Sequence, residues 1–300
     1  MSIELRPPRL DDLPVLTALI NRDSEELYGE PEESEESIRA WLTSPKLNPE
    51  TEMRVAVVGG SFLGYVDIDD EPHPIYWVDL RVPPSEGDEV RVALMDWVES
   101  RAKERRAEVL RFHAASTDEG LKSLLESRGY GIIRHFYRMR IELDGDMPEP
   151  EWSAGMTIRS ATTDDAERVY EAHQESFEDH WEHVRMPYEE WQHWQLREGF
   201  DPSLWFLVED GRELAALSLC REQDGEKGVG WVGVLGVRKE WRRRGLGRAL
   251  LLHSFHEFRR RGFHAAALGV DAESLTGANR LYESAGMYVA RQSDVYEKEL

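Results

Sequence analysis

The residues that point most directly to chemistry form a basic cluster within "GVRKEWRRRGLGRALLLHSF", residues 236–255. Four arginines and two glycines fill Arg242–Arg248, although the chain has a formal net charge of -22. A strand-like apolar run precedes this arginine loop and an amphipathic helical pattern follows it, so it lies at a helix start. Unpaired N–H groups there bind anions, and the arginines add charge-assisted hydrogen bonds of about 1.5–3 kcal/mol each. We therefore predict a pyrophosphate site.

Other phosphate motifs do not fit the loop. The sequence contains no GxxxxGK[ST], and "GLGRALLLHS" lacks the third glycine and the downstream acid of a dinucleotide fingerprint. The acidic balance also argues against nucleic-acid binding, since phosphate backbones attract surplus Lys and Arg. It would instead favour a cationic small molecule. The anion that the loop binds is thus expected to be a small-molecule phosphate.

Composition indicates a folded, cytoplasmic protein. The chain has 300 residues, 40% hydrophobic content and ten Trp, which is enough for packed cores. No apolar run approaches the length of a membrane span, and the N-terminus has no secretion-signal pattern. Cys220 is the only cysteine, which excludes an internal disulfide and a Cys-rich metal site. We expect no metal.

The chain contains a duplication. The segment "LLESRGYGIIRHFYRMRIEL" (124–143) aligns without a gap with "LYESAGMYVARQSDVYEKEL" (281–300). The starts of the two copies also agree, and Pro, Gly and acidic residues in 146–155 are typical of a linker. We predict an N-terminal domain at 1–145 and a C-terminal domain at 156–300.

Periodicity gives the elements of the second copy. Strands are predicted at 156–160, 204–209, 213–220, 229–237, 264–270 and 287–299, and helices at 163–176, 187–198, 245–261 and 275–285. The order β-α-α-β-β-β-α-β-α-β predicts an α/β (α+β) fold with a mixed, mainly antiparallel sheet flanked by helices.

Two motifs in this order resemble those of the GNAT acetyltransferases. The stretch "VRKEWRRRGLG" resembles their R/Q-x-x-G-x-G/A acyl-CoA loop, and "ANRLYESAGM" is similar to their second motif. The duplication is similar to tandem GNATs of the mycothiol synthase type, in which the C-terminal copy does the chemistry. The resemblance implies acetyl-CoA as co-substrate. It implies these binding residues: Leu235, Gly236, Val237, Arg242, Arg243, Arg244, Gly245, Leu246, Gly247 and Arg248.

The resemblance also implies a mechanism. Backbone N–H groups of the strand before the loop would hold the pantetheine arm and the thioester oxygen. Tyr282 matches the general acid that reprotonates the departing thiolate. Transfer to the acceptor is expected to be direct, because Cys220 lies in an apolar strand and is expected to be buried.

Two positions depart from the family pattern. Where many GNATs have Asn, seven residues before the Tyr, this chain has Leu275, so Ser274 or Asn279 would serve. Where mycothiol synthases carry a catalytic Glu, it has Trp231. A substitute base could be Asp271 or could come from 177–183, which offers Glu178, Asp179, His180, Glu182 and His183. A water chain is the remaining alternative. The segment "FEDHWEH" (177–183) occupies the region of the acceptor site, with His180, Trp181 and Glu182 as candidate substrate contacts.

The first copy lacks the anion-binding features. Opposite Arg242–Gly247 it has "EGDEVR" (86–91), and opposite Tyr282 it has Leu125. Acids at a helix start would repel a pyrophosphate. The first domain is therefore expected not to bind acetyl-CoA productively.

We accordingly predict an acetyl-CoA-dependent N-acetyltransferase that acts on the primary amine of a small molecule and is catalytic in its C-terminal domain only. The chain is expected to be a monomer or weak dimer, without nucleic-acid or membrane partners. The alternatives are a non-catalytic acyl-CoA sensor, a mycothiol-synthase-like enzyme and, with least support from the arginine loop, a structural protein.

Overall fold

A computed structural model describes residues 2–69, 74–197, 200–274 and 277–300. They form two compact units. The N-terminal unit comprises the chain up to Phe136 together with Asp224–Glu226 and Arg291–Leu300. The C-terminal unit comprises Tyr137–Gln223 and Lys227–Ala290.

The first half of the chain alternates strands and helices. Its strands are β1 (Glu4–Arg6), β2 (Met53–Val58), β3 (Ser61–Asp69), β4 (Ile75–Arg81), β5 (Val109–Ala115) and β6 (Gly131–Glu142). Its helices are α1 (Leu13–Tyr28), α2 (Glu35–Leu42), α3 (Pro49–Glu52), α4 (Asp88–Arg105) and α5 (Glu119–Ser127).

The second half repeats this order and confirms the predicted fold class. Its strands are β7 (Met156–Ser160), β8 (Trp205–Asp210), β9 (Glu213–Glu222), β10 (Val229–Val237), β11 (Ala265–Asp271) and β12 (Tyr288–Glu299). Its helices are α6 (Ala166–Phe177), α7 (Tyr188–Gln195), α8 (Leu246–Arg260) and α9 (Ala278–Ser284). Each predicted strand and helix is present, with ends within about three residues where they are described, because strong periodicity marks elements better than their ends.

Each unit has one mixed sheet. In the C-terminal unit the order is β6, β11, β10, β9, β8, β7, with β10 and β11 parallel. In the N-terminal unit it is β1, β2, β3, β4, β5, β12, with β4 and β5 parallel. The terminal strands are thus exchanged between the copies. Ser293–Glu299 of β12 pairs with β5, whereas β6 from Tyr137 onward belongs to the C-terminal unit.

The C-terminal sheet is covered by helices on both faces. Helix α8 buries Leu250, Phe255 and Phe258 completely, and Phe258 lies so close to Gly230 that a Cβ there would come within 2.5 Å of its ring. Helices α6 and α7 cover the opposite face with a second apolar cluster that includes Trp191. Among the described helices, none has both the length and the apolar character of a membrane span.

The N-terminal unit buries a carboxyl group on α1. Asp23 is 2% exposed, and its nearest cation, the Arg81 guanidinium, is 3.8 Å away. Burial raises the pKa of Asp23 to about 7, compared with about 4 for an ordinary Asp. The native carboxyl therefore keeps its proton over a pH range in which the unfolded chain releases it.

Asp23→Asn is expected to flatten the pH dependence of stability. The protonated Asp23 contributes fully below about pH 4, and this contribution is lost as the pH rises through about 7, at up to about 1.4 kcal/mol per pH unit. Urea unfolding between pH 4.5 and 7 should show the wild type losing stability faster than the variant. Exposed Glu25 on the same helix provides the control Glu25→Gln. Parallel curves for wild type and Asp23→Asn would contradict the expectation.

Candidate functional site

Strands β10 and β11 separate at the predicted site. Their parallel pairing joins Val229–Trp231 to Ala265–Ala267, although β10 continues to Val237 and β11 to Asp271. A bulge at Gly233 in the ladder with β9 accompanies the separation. Beyond Trp231, the backbone groups of β10 that face β11 are therefore released from strand pairing. Such groups can bind a ligand that enters the gap.

The arginine loop joins the open end of β10 to α8. Gly245 at the N-cap (φ 81°) and Arg243 (φ 61°) both have left-handed backbone. For Arg243 this conformation costs about 1–2 kcal/mol, which is typical of a functional loop. No side chain caps α8 and its first turn holds no acidic residue. The first amide N–H groups of α8, starting at buried Leu246, are thus available to an anion.

The two loop glycines serve different purposes. A Cβ on Gly245 would meet nothing within 4 Å, so this glycine is needed for its backbone angle and leaves the approach open. A Cβ on Gly247 would lie 3.1 Å from Leu281 of α9 and 3.6 Å from Val237. Gly247 therefore allows α8 to start close to both α9 and the end of β10.

The loop arginines are held in different ways. Arg242 donates to the carbonyl oxygens of Val237 and Ser176, both at 3.1 Å, and to Asp179 Oδ2 at 2.6 Å. Arg244 donates to the carbonyl of Glu240 at 3.0 Å, while Arg248 lies 3.4 Å from that of Ser284. The side chains of Arg243 and Arg244 are exposed. These two are placed to attract an anion from solvent.

The rest of the strand end is tightly packed. Leu235 and Val237 contact the core beneath α8. Gly236 lies under α6, where a Cβ would come within 2.9 Å of Ser176 Cβ. A larger residue at 236 would push the end of α6 away from the strand.

Helix α9 brings Tyr282 to the α8 face. Tyr282 is 9% exposed, and burial raises its pKa to about 12. Asn279 donates to the carbonyls of Asp271 and Ala272, at 3.2 and 2.8 Å, while its Oδ1 is buried without a partner. The Ser274 N–H donates to the Asp271 carbonyl at 3.1 Å. Leu275 lies outside the described residues.

The segment 177–183, which we call the acceptor segment, follows α6. The His180 ring packs on Phe177 with centroids 4.2 Å apart. Burial is the main cause that lowers the pKa of His180, and the nearby His183 and Arg242 lower it further. The charge of Asp271 acts in the opposite direction. The imidazole is therefore neutral near pH 7 and able to accept a proton. Trp181 is half-buried, and Glu182 is exposed with φ 49°.

The two carboxylates named as candidate bases differ in environment. Glu178 is exposed and accepts from Lys239 at 2.9 Å, and this hydrogen bond lowers its pKa. It also lines an open polar groove of about 400 Å³ formed by α6, the start of β9 and Arg238. Asp271 ends β11 beside the gap and accepts from the Glu273 N–H at 2.9 Å. Glu178 is thus paired with a cation at the surface, whereas Asp271 lies at the strand end that borders the gap.

Two further contacts were not predicted from the sequence. Buried Trp191 donates from Nε1 to His173 Nδ1 at 2.9 Å, and burial lowers the pKa of His173 to about 4. Arg138 of β6 lies over the Trp231 ring, 5.5 Å from its centroid. The i, i+4 spacing of His173 and Phe177 on α6 indicates only that these two rings meet, at centroids 5.0 Å apart, and not the contact with Trp191 of α7. No local signal indicates the second, because it depends on the strand exchange.

The Cys220 thiol is buried in the core of the C-terminal unit. Cys220 is 2% exposed, and burial raises the pKa of its thiol to about 11. Within the described ranges, no group of three His, Cys, Asp or Glu side chains could hold a metal ion.

Comparison with known proteins matches this architecture. The profile of the Acetyltransferase (GNAT) family matches residues 166–287. A mycothiol acetyltransferase of Streptomyces coelicolor is 26% identical over 296 residues, covering 97% of this chain and 92% of that protein. Another, from Thermobispora bispora, is 35% identical over 165 residues, covering 53% of this chain and 56% of that protein.

Two solved structures are similar in fold to this chain. A GCN5-related N-acetyltransferase from Sphaerobacter thermophilus superposes with a TM-score of 0.79 and 31% identity, covering 99% of this chain and 95% of that one. A tandem GNAT protein from the clavulanic acid biosynthesis pathway has a TM-score of 0.77 and 15% identity over 99% of this chain and 98% of that one, and shows the fold alone.

The residues present also suit acyl-CoA. The open strand end, the uncapped start of α8 and the space at Gly245 form a cradle for a pantetheine arm and its pyrophosphate. The predicted resemblance is confirmed: this chain belongs to the GCN5-related N-acetyltransferase (GNAT) family and is an acyl-CoA-dependent acyltransferase.

Proposed function

We propose that this protein transfers an acetyl group from acetyl-CoA directly to the primary amine of a small molecule, and that the C-terminal copy does this chemistry. The observation that carries the proposal is the gap between β10 and β11 with the arginine loop at its mouth. Acetyl-CoA would supply an activated acyl group there. The loop N–H groups, Arg243 and Arg244 would bind its pyrophosphate.

The proton transfers are assigned to the two sides of the gap. Tyr282, with its raised pKa, remains a phenol at physiological pH and can donate to the departing thiolate. On the α6 face, neutral His180 with Asp271 beside it would take the proton of the amine. Leu235, Gly236 and Val237 would offer backbone N–H groups to the acyl oxygen. Ser274 and Asn279 are proposed to line the acyl-CoA site, and Trp181 and Glu182 the acceptor site.

The N-terminal copy is proposed to be silent, because its equivalent cleft is filled. Arg91, the fourth residue of α4, is 3% exposed and donates to the Val82 carbonyl at 3.1 Å and to Asp118 at 2.8 Å. A Cβ on Gly120 would lie 2.2 Å from the Arg91 guanidinium. Asp88 and Glu89 occupy the first turn of α4, where they would repel a phosphate.

The copies are proposed to span 1–145 and 156–300. The 146–155 linker between them packs on α8, and Ser153 donates to the Arg244 carbonyl at 2.8 Å. The monomeric or weakly dimeric state and the cytoplasmic location remain predictions of the sequence.

A mycothiol-synthase-like activity is the second candidate. The full-length similarity to the Streptomyces coelicolor mycothiol acetyltransferase favours it. Trp231 argues for a different acceptor, because its indole lies against Gly233 and Gly269, within 3.4 to 3.9 Å of their built Cβ positions, where the resemblance implies a Glu. An indole cannot act as a base, and its ring makes its surroundings more apolar than a Glu would.

A thiol-release screen with acetyl-CoA tests the proposal. Amines of several classes, including polyamines, aminoglycosides and the cysteinyl amine precursor of mycothiol, would be compared. We expect CoA release with at least one small primary amine at a rate well above acetyl-CoA hydrolysis. Release with the mycothiol precursor alone would favour the second candidate. Acetyl-CoA binding without release across the panel would indicate a sensor instead of an enzyme.

A further inference from the structure

Arg242 connects three parts of the C-terminal unit. Its guanidinium binds the carbonyl at the end of β10 (Val237), the carbonyl near the end of α6 (Ser176) and the carboxylate of Asp179 in the acceptor segment. The Asp179 bond, at 2.6 Å, is the shortest of the three. It lowers the pKa of Asp179, which keeps that carboxylate charged. The side chain of Arg242 is therefore committed to protein groups instead of to solvent.

Neighbouring ion pairs also join the residues after β10 to the end of α6 and the acceptor segment. Lys239 lies 2.9 Å from Glu178 and 3.5 Å from Asp179, and Arg238 lies 2.7 Å from Glu175. All the cations follow β10 and all the carboxylates lie on the last turn of α6 or just after it. We call these pairs the clasp. Gly236 allows the same two segments to approach closely, because a Cβ at this position would lie 2.9 Å from Ser176 Cβ.

The clasp joins the arginine loop to the acceptor segment. Arg242 is the residue immediately before exposed Arg243 and Arg244, which face the anion. Asp179 is the residue immediately before His180, the proposed proton acceptor. A change in the loop backbone at 242–244 is therefore transmitted through one guanidinium to the residue next to the base.

We propose that Arg242 and Asp179 are positioning residues that couple acetyl-CoA binding at the arginine loop to the ordering of the acceptor segment. This inference rests on the proposed function. Arg242 acts through Asp179 and the Ser176 carbonyl, and the anion is bound by the loop N–H groups with Arg243 and Arg244. Coupling of this kind makes acetyl-CoA bind before the acceptor, because the acceptor site is completed only when the loop is held.

Amide hydrogen exchange with and without acetyl-CoA tests the coupling before any acceptor is known. In the wild type, acetyl-CoA should slow exchange both in the loop, 238–247, and in 176–183, the latter by about five-fold or more, which is the usual lower range of allosteric coupling. In Asp179→Ala, protection should persist in the loop and fall below about two-fold in 176–183. Asp179→Glu, which retains the charge, should restore it.

Calorimetry on the same variants measures the affinity for acetyl-CoA and so distinguishes a loss of coupling from a loss of acetyl-CoA binding. Asp179→Ala should bind acetyl-CoA within about three-fold of wild type, because Arg243 and Arg244 remain. Once an acceptor is found, its KM should rise about ten-fold with little change in the KM for acetyl-CoA. Glu171→Gln, which removes an exposed ion pair between α6 and Arg185 of the following loop, should leave exchange unchanged.

Two results would overturn the inference: protection confined to the loop in the wild type, or protection of 176–183 that survives in Asp179→Ala. Either result would leave acetyl-CoA binding, and thus the proposed function, intact. If the wild type did not bind acetyl-CoA, both the coupling inference and the proposed function would be contradicted.

Discussion

Arg243→Glu combined with Arg244→Glu is expected to weaken acetyl-CoA binding by about 100-fold or more. The two exposed guanidiniums flank the uncapped start of α8, and each charge-assisted hydrogen bond contributes about 1.5–3 kcal/mol. Losing two of them, and placing two carboxylates against a pyrophosphate, costs at least about 3 kcal/mol, which corresponds to two orders of magnitude in Kd. Arg242 is left unchanged, so that the clasp is not broken at the same time.

The matched control reverses the same number of charges at the other end of the helix. Arg259→Glu with Arg260→Glu alters the last turn of α8, about 20 Å from the loop, and should leave the affinity within about three-fold. Calorimetry supplies both affinity and stoichiometry. We expect one acetyl-CoA per wild-type chain. A stoichiometry of two would contradict the filled cleft of the N-terminal copy, and equal effects of the two double variants would show that net charge, instead of the loop, governs binding.

Tyr282→Phe is expected to lower kcat by about 100- to 1,000-fold, the usual contribution of a general acid, and to leave the Kd for acetyl-CoA within about two-fold. The substitution removes one hydroxyl and keeps the ring that packs under α8. Single-turnover rates with the acceptor found by thiol release would measure the chemical step directly. Tyr288→Phe is the control, because that ring is 50% exposed.

The pH dependence of kcat should also reflect the role of Tyr282 as the general acid. Burial raises the pKa of Tyr282 to about 12, so the phenol keeps its proton throughout the range used for assays. No fall in kcat from Tyr282 ionisation is expected below about pH 10. An acidic limb should come from the group that accepts the amine proton, and because the pKa of His180 is lowered, this limb should lie below the ordinary histidine value. An unchanged kcat in Tyr282→Phe would exclude the acid role.

Local sequence signals were sufficient for most of the fold. The strand predicted at 229–237 has the observed bounds, because a β-branched apolar run between glycine-rich turns leaves little choice of conformation. The helix after the arginine loop was also predictable, since Gly245 has the left-handed backbone that lets the chain enter α8. The family motif then predicted the residues of the acyl-CoA loop, and this assignment stays a prediction.

The role of Arg242 was less predictable. The motif groups it with the other loop arginines, but besides the nearby Val237 carbonyl it donates to the Ser176 carbonyl and the Asp179 carboxylate, which lie 66 and 63 residues earlier in the chain. Hydrogen bonds between distant segments leave no periodic trace in the sequence. The ion pair of Arg91 with Asp118 in the N-terminal copy was equally unpredictable: the sequence showed acids at the helix start, but not this buried pair.

The sequence by itself determined the duplication, the order of the elements in each copy and the loop that distinguishes one copy from the other, because these depend on residue types at short spacing. Only the tertiary structure decided which sheet receives each terminal strand. The segments of β6 and β12 align without a gap at equivalent places in the two copies, so their alignment does not indicate which sheet each strand joins. The choice, and with it the contact between Arg138 and Trp231, depends on the long-range pairing of β12 with β5.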